Sequence, residues 1–202
     1  MDEVKHLVIG MGEIGKPIWN ILSEHYEVHR FDQLGMFESP NQSFDVIHIC
    51  FGHKEEEVEE YRTWVKDYQN RFLKDGGITI IHATVAVGVS KSLNAVHSPI
   101  RGQHKQMEQG IRIFVKFFGG ERASEAADYF RKLGMRVIIF DEAETTEALK
   151  LFDTEYYRVC INFAQRVKVY CENHNLNYSE VYRLANQTYN EGYTKLGHPE
   201  FV

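Results

Sequence analysis

The sequence predicts an α/β fold: a doubly wound, mostly parallel Rossmann-type sheet with a long C-terminal helix and a short helical extension. Three observations predict it. Short apolar runs alternate with helical segments from Leu7 to Phe140. The first run ends in a glycine-rich loop, Gly10-Met11-Gly12-Glu13-Ile14-Gly15. From Glu142 to His174 neither Gly nor Pro occurs, and the pattern becomes one continuous helix.

The elements follow in order. Leu7-Val8-Ile9 reads as a buried strand, and Lys16 to His25 as a helix. Glu27 to Phe31 is a second strand ending at Asp32. Gly35 to Ser43 carries Gly, Pro, Asn and Ser and reads as a loop. Val46 to Phe51 is a third strand, closed by Gly52. Val58, Tyr61, Val65, Tyr68 and Phe72 recur at steps of three and four, so they share one helix face. Gly76-Gly77 is expected to end that helix, and Ile78 to His82 to form a fourth strand. Val96-His97 begins a fifth. Ile111 to Phe118 reads as a sixth, Ala123 to Leu133 as a helix before Gly134, and Val137 to Phe140 as a further strand. On the long helix, Leu149, Phe152, Tyr156, Val159, Phe163, Val167 and Tyr170 share a face; unbroken, it would run on the order of 45 Å. Asn173 and Asn175 permit a turn, Ser179 can cap a shorter helix through Leu184, and Tyr189 to Phe201 reads as a loop-like tail. The domain boundary is drawn at Asp141: residues 1–141 bind a dinucleotide, and 142–202 form the helical extension.

A net charge of −6 over 202 residues points to neither a nucleic-acid nor a membrane partner. No run approaches the roughly 18 apolar residues of a membrane span, and no signal peptide precedes the first strand. Cys50, Cys160 and Cys171 are odd in number and lack paired spacing. That argues against a disulfide framework, no Cys-x-x-Cys pair suggests zinc, and a reducing cytoplasm is the expected compartment. His53, His97, His104 and His198 are scattered without metal-ligand spacing, so no metal is expected.

The glycine loop carries chemistry because of its context, with a strand before it, a helix after it and an acid at the end of the next strand. Gly10 makes the tight turn, Gly12 lets a pyrophosphate approach the backbone, and Gly15 lets helix and strand pack closely. Met11, Glu13 and Ile14 complete the loop, and the helix N-terminus offers N–H groups to phosphates. Asp32 follows Gly15 by 17 positions. A carboxylate there accepts from a ribose diol and repels a 2′-phosphate, which favours NAD over NADP. Arg30, one alternation earlier, is no clear phosphate clamp. Gly52 ends its strand at the same edge of the sheet and joins the cofactor set.

Further segments carry a family resemblance. His82-Ala83-Thr84-Val85-Ala86-Val87-Gly88 resembles the Ser-Thr-Val-Pro-x-Gly segment of UDP-sugar dehydrogenases. Glu147-Ala148-Leu149-Lys150 resembles their Glu-x-x-Lys motif. His97-Ser98-Pro99-Ile100-Arg101-Gly102 is similar to the Ala-Pro-Val-Ser-Gly segment of the related 3-hydroxyacid and 6-phosphogluconate dehydrogenases. The pieces stand in the family order. The resemblance implies hydride transfer to or from an alcohol, with Lys150 bonding the reacting oxygen and taking part in proton transfer. It also implies Thr84 beside the nicotinamide, and Ser98, Arg101 and Gly102 lining the substrate pocket. Two departures stand out: Thr154 replaces the family Asn four residues after the lysine, and Ile100 replaces the Glu after proline. The second nucleotide-sugar domain and its catalytic cysteine have no counterpart before Val202, so the four-electron oxidation of a sugar alcohol to an acid is not expected.

Plainer roles compete with these. Lys150 could pair with Glu147 on an exposed surface, Thr84 could simply end a strand, and Arg101 could be a solvated loop arginine. The expectation is an NAD-dependent oxidoreductase acting on a small, anionic alcohol. The alternative is a non-catalytic dinucleotide-binding module. The aromatic face of the long helix predicts a homodimer.

Overall fold

The computed structural model describes residues 4–33, 37, 39–102 and 106–198. Parts of the expected loop (Gly35, Met36 and Glu38), His104 and the end of the tail (199–202) lie outside them. The described residues fall into two units that divide between Leu151 and Phe152.

The first unit is built on strands β1 (Lys5–Ile9), β2 (Glu27–Phe31), β3 (Phe44–Ile49), β4 (Leu73–Ile81), β5 (Val96–His97), β6 (Lys116–Gly119) and β7 (Val137–Phe140). They make one seven-stranded sheet in the order β2-β1-β3-β4-β5-β6-β7. Pairing is parallel except for β5 with β6. Helices α1 (Gly15–Leu22), α2 (Val58–Phe72), α3 (Val89–Ser92), α4 (Met107–Ile113) and α5 (Ala123–Lys132) connect them.

Strand side chains alternate between the two faces, and each face has its own core. Val8, Val46 and Ile80 pack with Ile18, Ile21 and Leu22 of α1 and Ala126, Ala127 and Phe130 of α5. Leu7, Ile9, Ile47 and Ile49 pack with Tyr61, Val65, Tyr68 and Phe72 of α2. A sheet buried on both faces is what near-continuous apolar strands require.

Four expectations are corrected. Helix α2 ends at Phe72, not at the glycine pair, because Leu73 is already extended (φ −89°, ψ 132°). Gly76 and Gly77 lie within β4, where the register against β3 jumps between the Phe44–Leu73 and Val46–Ile78 pairs; the glycines serve the irregularity, with φ +75° at Gly76. Residues 111–118 are not one strand: α4 runs to Ile113, and β6 begins only at Lys116. The tail is largely helical, with a π-helical turn Ser179–Leu184 followed by α7 (Ala185–Lys195). Ser179 does not cap; its N–H donates to the Asn177 side chain at 2.9 Å.

The long helix α6 (Ala143–Asn173) has 31 residues. It ends where Asn175 takes a left-handed φ of +53°. In the second unit, α6 leaves Phe152, Tyr156, Val159, Phe163 and Tyr170 exposed, Phe152 to 74%.

Candidate functional site

Strand β1 lies between β2 and β3, so the direction in which successive strands are added to the sheet reverses at β1. In open α/β sheets, ligands occupy the crevice at such a switch point, outside the carboxyl ends of the strands. Here those ends carry Gly10 to Gly15 after β1, Asp32 after β2, Cys50 to Gly52 after β3, and His82 to Thr84 after β4.

The three glycines are required for different reasons. Gly10 adopts φ +89°, and its N–H donates to the Phe31 carbonyl at 2.9 Å. A Cβ on Gly15 would lie 1.8 Å from the Gly10 carbonyl oxygen, which no side chain tolerates. A Cβ on Gly12 would meet nothing within 4 Å. Thus Gly15 is demanded by the protein's own packing and Gly12 is not, and Gly12 is the position that faces open space. Met11 is buried and Ile14 packs on the same core, while Gly12 and Glu13 are exposed between them. The Met11 N–H donates to Asp32 Oδ2 at 2.7 Å, so the carboxylate sits directly against the loop. Arg30 turns away, its guanidinium 4.8 Å from the Trp19 ring centre and 4.5 Å from that of Phe37.

At the neighbouring strand ends, Gly52 and Thr84 approach closely: a Cβ on Gly52 would come within 3.2 Å of the Thr84 carbonyl. Thr84 itself is exposed. The turn after it is held by Glu147 of α6. Glu147 Oε2 accepts the Gly88 N–H at 2.6 Å, and Oε1 accepts the Ser90 N–H at 2.8 Å. Glu147 is fully buried, so the plainer alternative of a pair on an exposed helix surface does not describe it. Its burial raises the carboxyl pKa, opposed by the bonds from Ser90 and Gly88. Next to it, His97 Nδ1 lies 2.9 Å from Thr146 Oγ1, and His97 Nε2 donates to the Ala83 carbonyl at 3.2 Å. Desolvation depresses His97 to about 4, with the charges of Lys116 and Lys150 adding to the effect. Lys150, half-buried, therefore acts electrostatically on the histidine that holds the residue before Thr84.

The Ser98 to Gly102 segment is split. Ser98 is fully buried, and its hydroxyl does not reach solvent. Arg101 is half-buried with its guanidinium 4.9 Å from the Phe117 ring centre, and Gly102 is exposed at φ +145°. Among the described residues, no group of three or more His, Cys, Asp or Glu could hold a metal ion. No helix there is long and apolar enough to cross a membrane.

Residue-level reasoning missed Glu147 as a structural anchor and missed a row of buried histidines. The signal for the latter was present: His6, His48 and His82 interrupt strands that are otherwise apolar.

No protein-family model and no curated protein matches the chain. Solved structures do. A UDP-D-ManNAc dehydrogenase from Pyrococcus horikoshii superposes with a TM-score of 0.75 at 17% identity, covering 91% of this chain and 57% of that one. A 3-hydroxyisobutyrate dehydrogenase from Mycobacterium tuberculosis, solved with L-serine, gives 0.69 at 15% identity, covering 92% and 71%. A reductive aminase from Aspergillus terreus, in complex with NADPH4, cyclohexanone and allyl amine, gives 0.61 at 12% identity, covering 97% and 75%. The chain thus spans little more than half the length of the Pyrococcus enzyme. Over the part it covers, it shares the fold of the nucleotide-sugar and 3-hydroxyisobutyrate dehydrogenases.

Proposed function

We propose that the chain binds NAD(H) at the Gly10–Gly15 loop and is an NAD-dependent oxidoreductase for a small alcohol substrate. The observation that carries this is the contrast between two glycines: the fold itself requires Gly15, whereas Gly12 is bare toward solvent and leaves room for a pyrophosphate. The residues fit the group. Helix α1 begins at Gly15, so its N-terminus faces the phosphates. Asp32, bonded to Met11, is positioned for a ribose diol and disfavours a 2′-phosphate. The bound nicotinamide would supply the hydride acceptor or donor.

The chain's own residues then divide the remaining work. Thr84 and Gly52 form the wall beside the reactive ring. Lys150 is the proton-transfer group, oriented because Glu147, one turn earlier, ties α6 to the turn at Gly88. Arg101 and Gly102 face an anionic substrate; Ser98 contributes through its backbone, since its side chain is enclosed. A second reading, a non-catalytic dinucleotide-binding module, is supported by Thr154, which stands where the resembled dehydrogenases have Asn four residues after the lysine. The three free cysteines are consistent with a reducing compartment such as the cytoplasm.

We also assign it as a homodimer through α6. The apolar positions 152, 156, 159, 163, 167 and 170 step by three and four, the spacing of a helix–helix seam. Tyr157, Ile161 and Val169 are exposed on other faces. A groove of about 1000 Å³ runs beside Phe163, Val167, Tyr170 and Val181. A helix apolar on several sides calls for burial, and a second copy supplies it symmetrically.

Calorimetric titration with NADH and NADPH tests the cofactor. NADH should bind about tenfold or more tightly, a difference of roughly 1.4 kcal/mol. Equal affinity, or a preference for NADPH, removes Asp32 from its role. Lys150→Met separates the two readings: the oxidoreductase loses turnover while cofactor affinity holds.

A further inference from the structure

Three imidazoles and one amine form a continuous hydrogen-bonded row through the core on the α1 and α5 face of the sheet. His6 Nδ1 lies 2.9 Å from His48 Nε2, and His48 Nδ1 lies 2.9 Å from His82 Nε2. His82 Nδ1 is 3.0 Å from the Ser98 carbonyl and 3.3 Å from Lys116 Nζ, which itself donates to that carbonyl at 3.0 Å. His6, His48 and His82 are fully inaccessible, and Lys116 is 3% exposed.

The row climbs the sheet. In register, His6 faces Val46, whereas His48 faces Val8 on one side and Ile80 on the other. Each histidine is therefore displaced two residues toward the carboxyl end relative to its neighbour. The row starts near the amino end of β1 and finishes beside Ser98, at the carboxyl end where the candidate site lies. We propose that His6, His48, His82 and Lys116 act as one buried proton relay between those two ends of the sheet.

The chemistry follows from donor and acceptor counting. A neutral imidazole carries one N–H and one lone pair, so each contact in the row needs one of each. The imidazole protons can be ordered in two ways along the row, and they differ in whether His82 Nδ1 accepts from Lys116 or donates to the Ser98 carbonyl. In one, Lys116 is an ammonium and donates to His82 Nδ1; His82 Nε2–H then donates to His48, and His48 Nε2–H to His6, leaving a proton on His6 Nε2. In the other, Lys116 is a neutral amine, all three protons sit on Nδ1, His82 donates to the Ser98 carbonyl, and His6 Nε2 is a bare lone pair. An ammonium cannot rest against a His82 N–H at 3.3 Å, so a charged Lys116 forces the Nε2–H order, and a neutral Lys116 frees His82 Nδ1–H to donate to the Ser98 carbonyl at 3.0 Å. The two orders differ by one proton. When His6 Nε2 takes a proton up, each Nδ1 proton passes to the next residue and Lys116 becomes charged; reversal releases the proton at His6. No other bond changes.

The surroundings suit this. His6 Nε2 has no hydrogen-bond partner among the described residues and is enclosed by the rings of Tyr26 and Tyr129, 4.6 and 4.9 Å away. The carboxylate acting on His6 is Asp45 of β3, itself bonded to Lys5 and Lys74. Around Lys116 stand the Phe118 and Phe130 rings, the Cys50 thiol and His97, and among the described residues no carboxylate is bonded to the ammonium. Burial brings Lys116 down to about 7, and holds His6 at about 4 and His48 and His82 well below their ordinary value. The imidazoles thus stay neutral while the lysine titrates.

The test is long-range ¹H–¹⁵N spectroscopy of ¹⁵N-histidine-labelled full-length protein from pH 5.5 to 9, with ¹³Cε-lysine labelling to follow Lys116. No cofactor is needed. The expected result is that the three histidines exchange their Nδ1 and Nε2 signatures together, without becoming imidazolium, at a midpoint shared with Lys116. Lys116→Met should lock one tautomer order at every pH. The relay is overturned if the wild-type tautomers are constant across this range, if the histidines charge separately, or if Lys116 titrates above pH 9. A switch that survives in Lys116→Met also overturns it. The wild-type spectra decide the question even if that variant does not fold.

Discussion

The carboxylate of Glu147 binds the backbone N–H groups of Gly88 and Ser90 at 2.6 and 2.8 Å, joining α6 to the turn behind Thr84. Removing it strands buried donors, which costs about 2–4 kcal/mol in total. For a chain of this size, Glu147→Ala should lower Tm by about 5–15 °C. Glu147→Gln keeps one acceptor and should lose about half as much. Thermal unfolding followed by circular dichroism reads both; unchanged Tm values would show that the contact adds no stability.

Two loop glycines should separate folding from binding. Gly12→Ala places its Cβ in open space and should fold with a Tm near that of the native protein, while NADH affinity falls at least tenfold. Gly15→Ala drives a Cβ into the Gly10 carbonyl and should fail to give a folded monomer unit. Tight NADH binding by Gly12→Ala would move the cofactor away from this loop.

Acid should destabilise the protein early. His6 and His97 are held at about 4 against an ordinary 6.5, so the unfolded chain binds more protons between those values. Stability from this source is complete above pH 6.5 and is lost as pH falls through about 4. The loss is on the order of 3 kcal/mol for each residue. Lys116 acts in the same direction in a higher window, with stability rising from pH 7 toward 10.5. Urea unfolding at pH 7, 6 and 5 should show a falling midpoint; a flat series contradicts the burial of neutral histidines.

The α6 seam predicts a dimer in light scattering at micromolar concentration. Phe163→Glu would bury an unpaired carboxylate in that seam and should dissociate or unfold the dimer. A native mass near the 23.6 kDa monomer, or a fully stable dimeric variant, rules the seam out.

Local chemistry made much of this legible. Gly10, Gly12 and Gly15 are spaced by the turn they build, and Asp32 sits one strand away, so the loop and its acid could be read from neighbouring residues. The absence of Gly and Pro from Glu142 to His174 likewise foretold α6. The ends of elements were less legible. Gly76-Gly77 is as suitable for a bulge as for a helix stop, and only pairing with β3 selected the bulge.

The sequence by itself determined the alternation of strands and helices, the glycine loop and the apolar face of the long helix, because each depends on residues within a few positions of one another. Tertiary structure alone decided the histidine row and the Glu147 anchor. His6 and His48 are 42 residues apart, and Glu147 and Gly88 are 59 apart. Their meeting depends on strand order, register and twist, so that polar groups excluded from water must find partners across the fold.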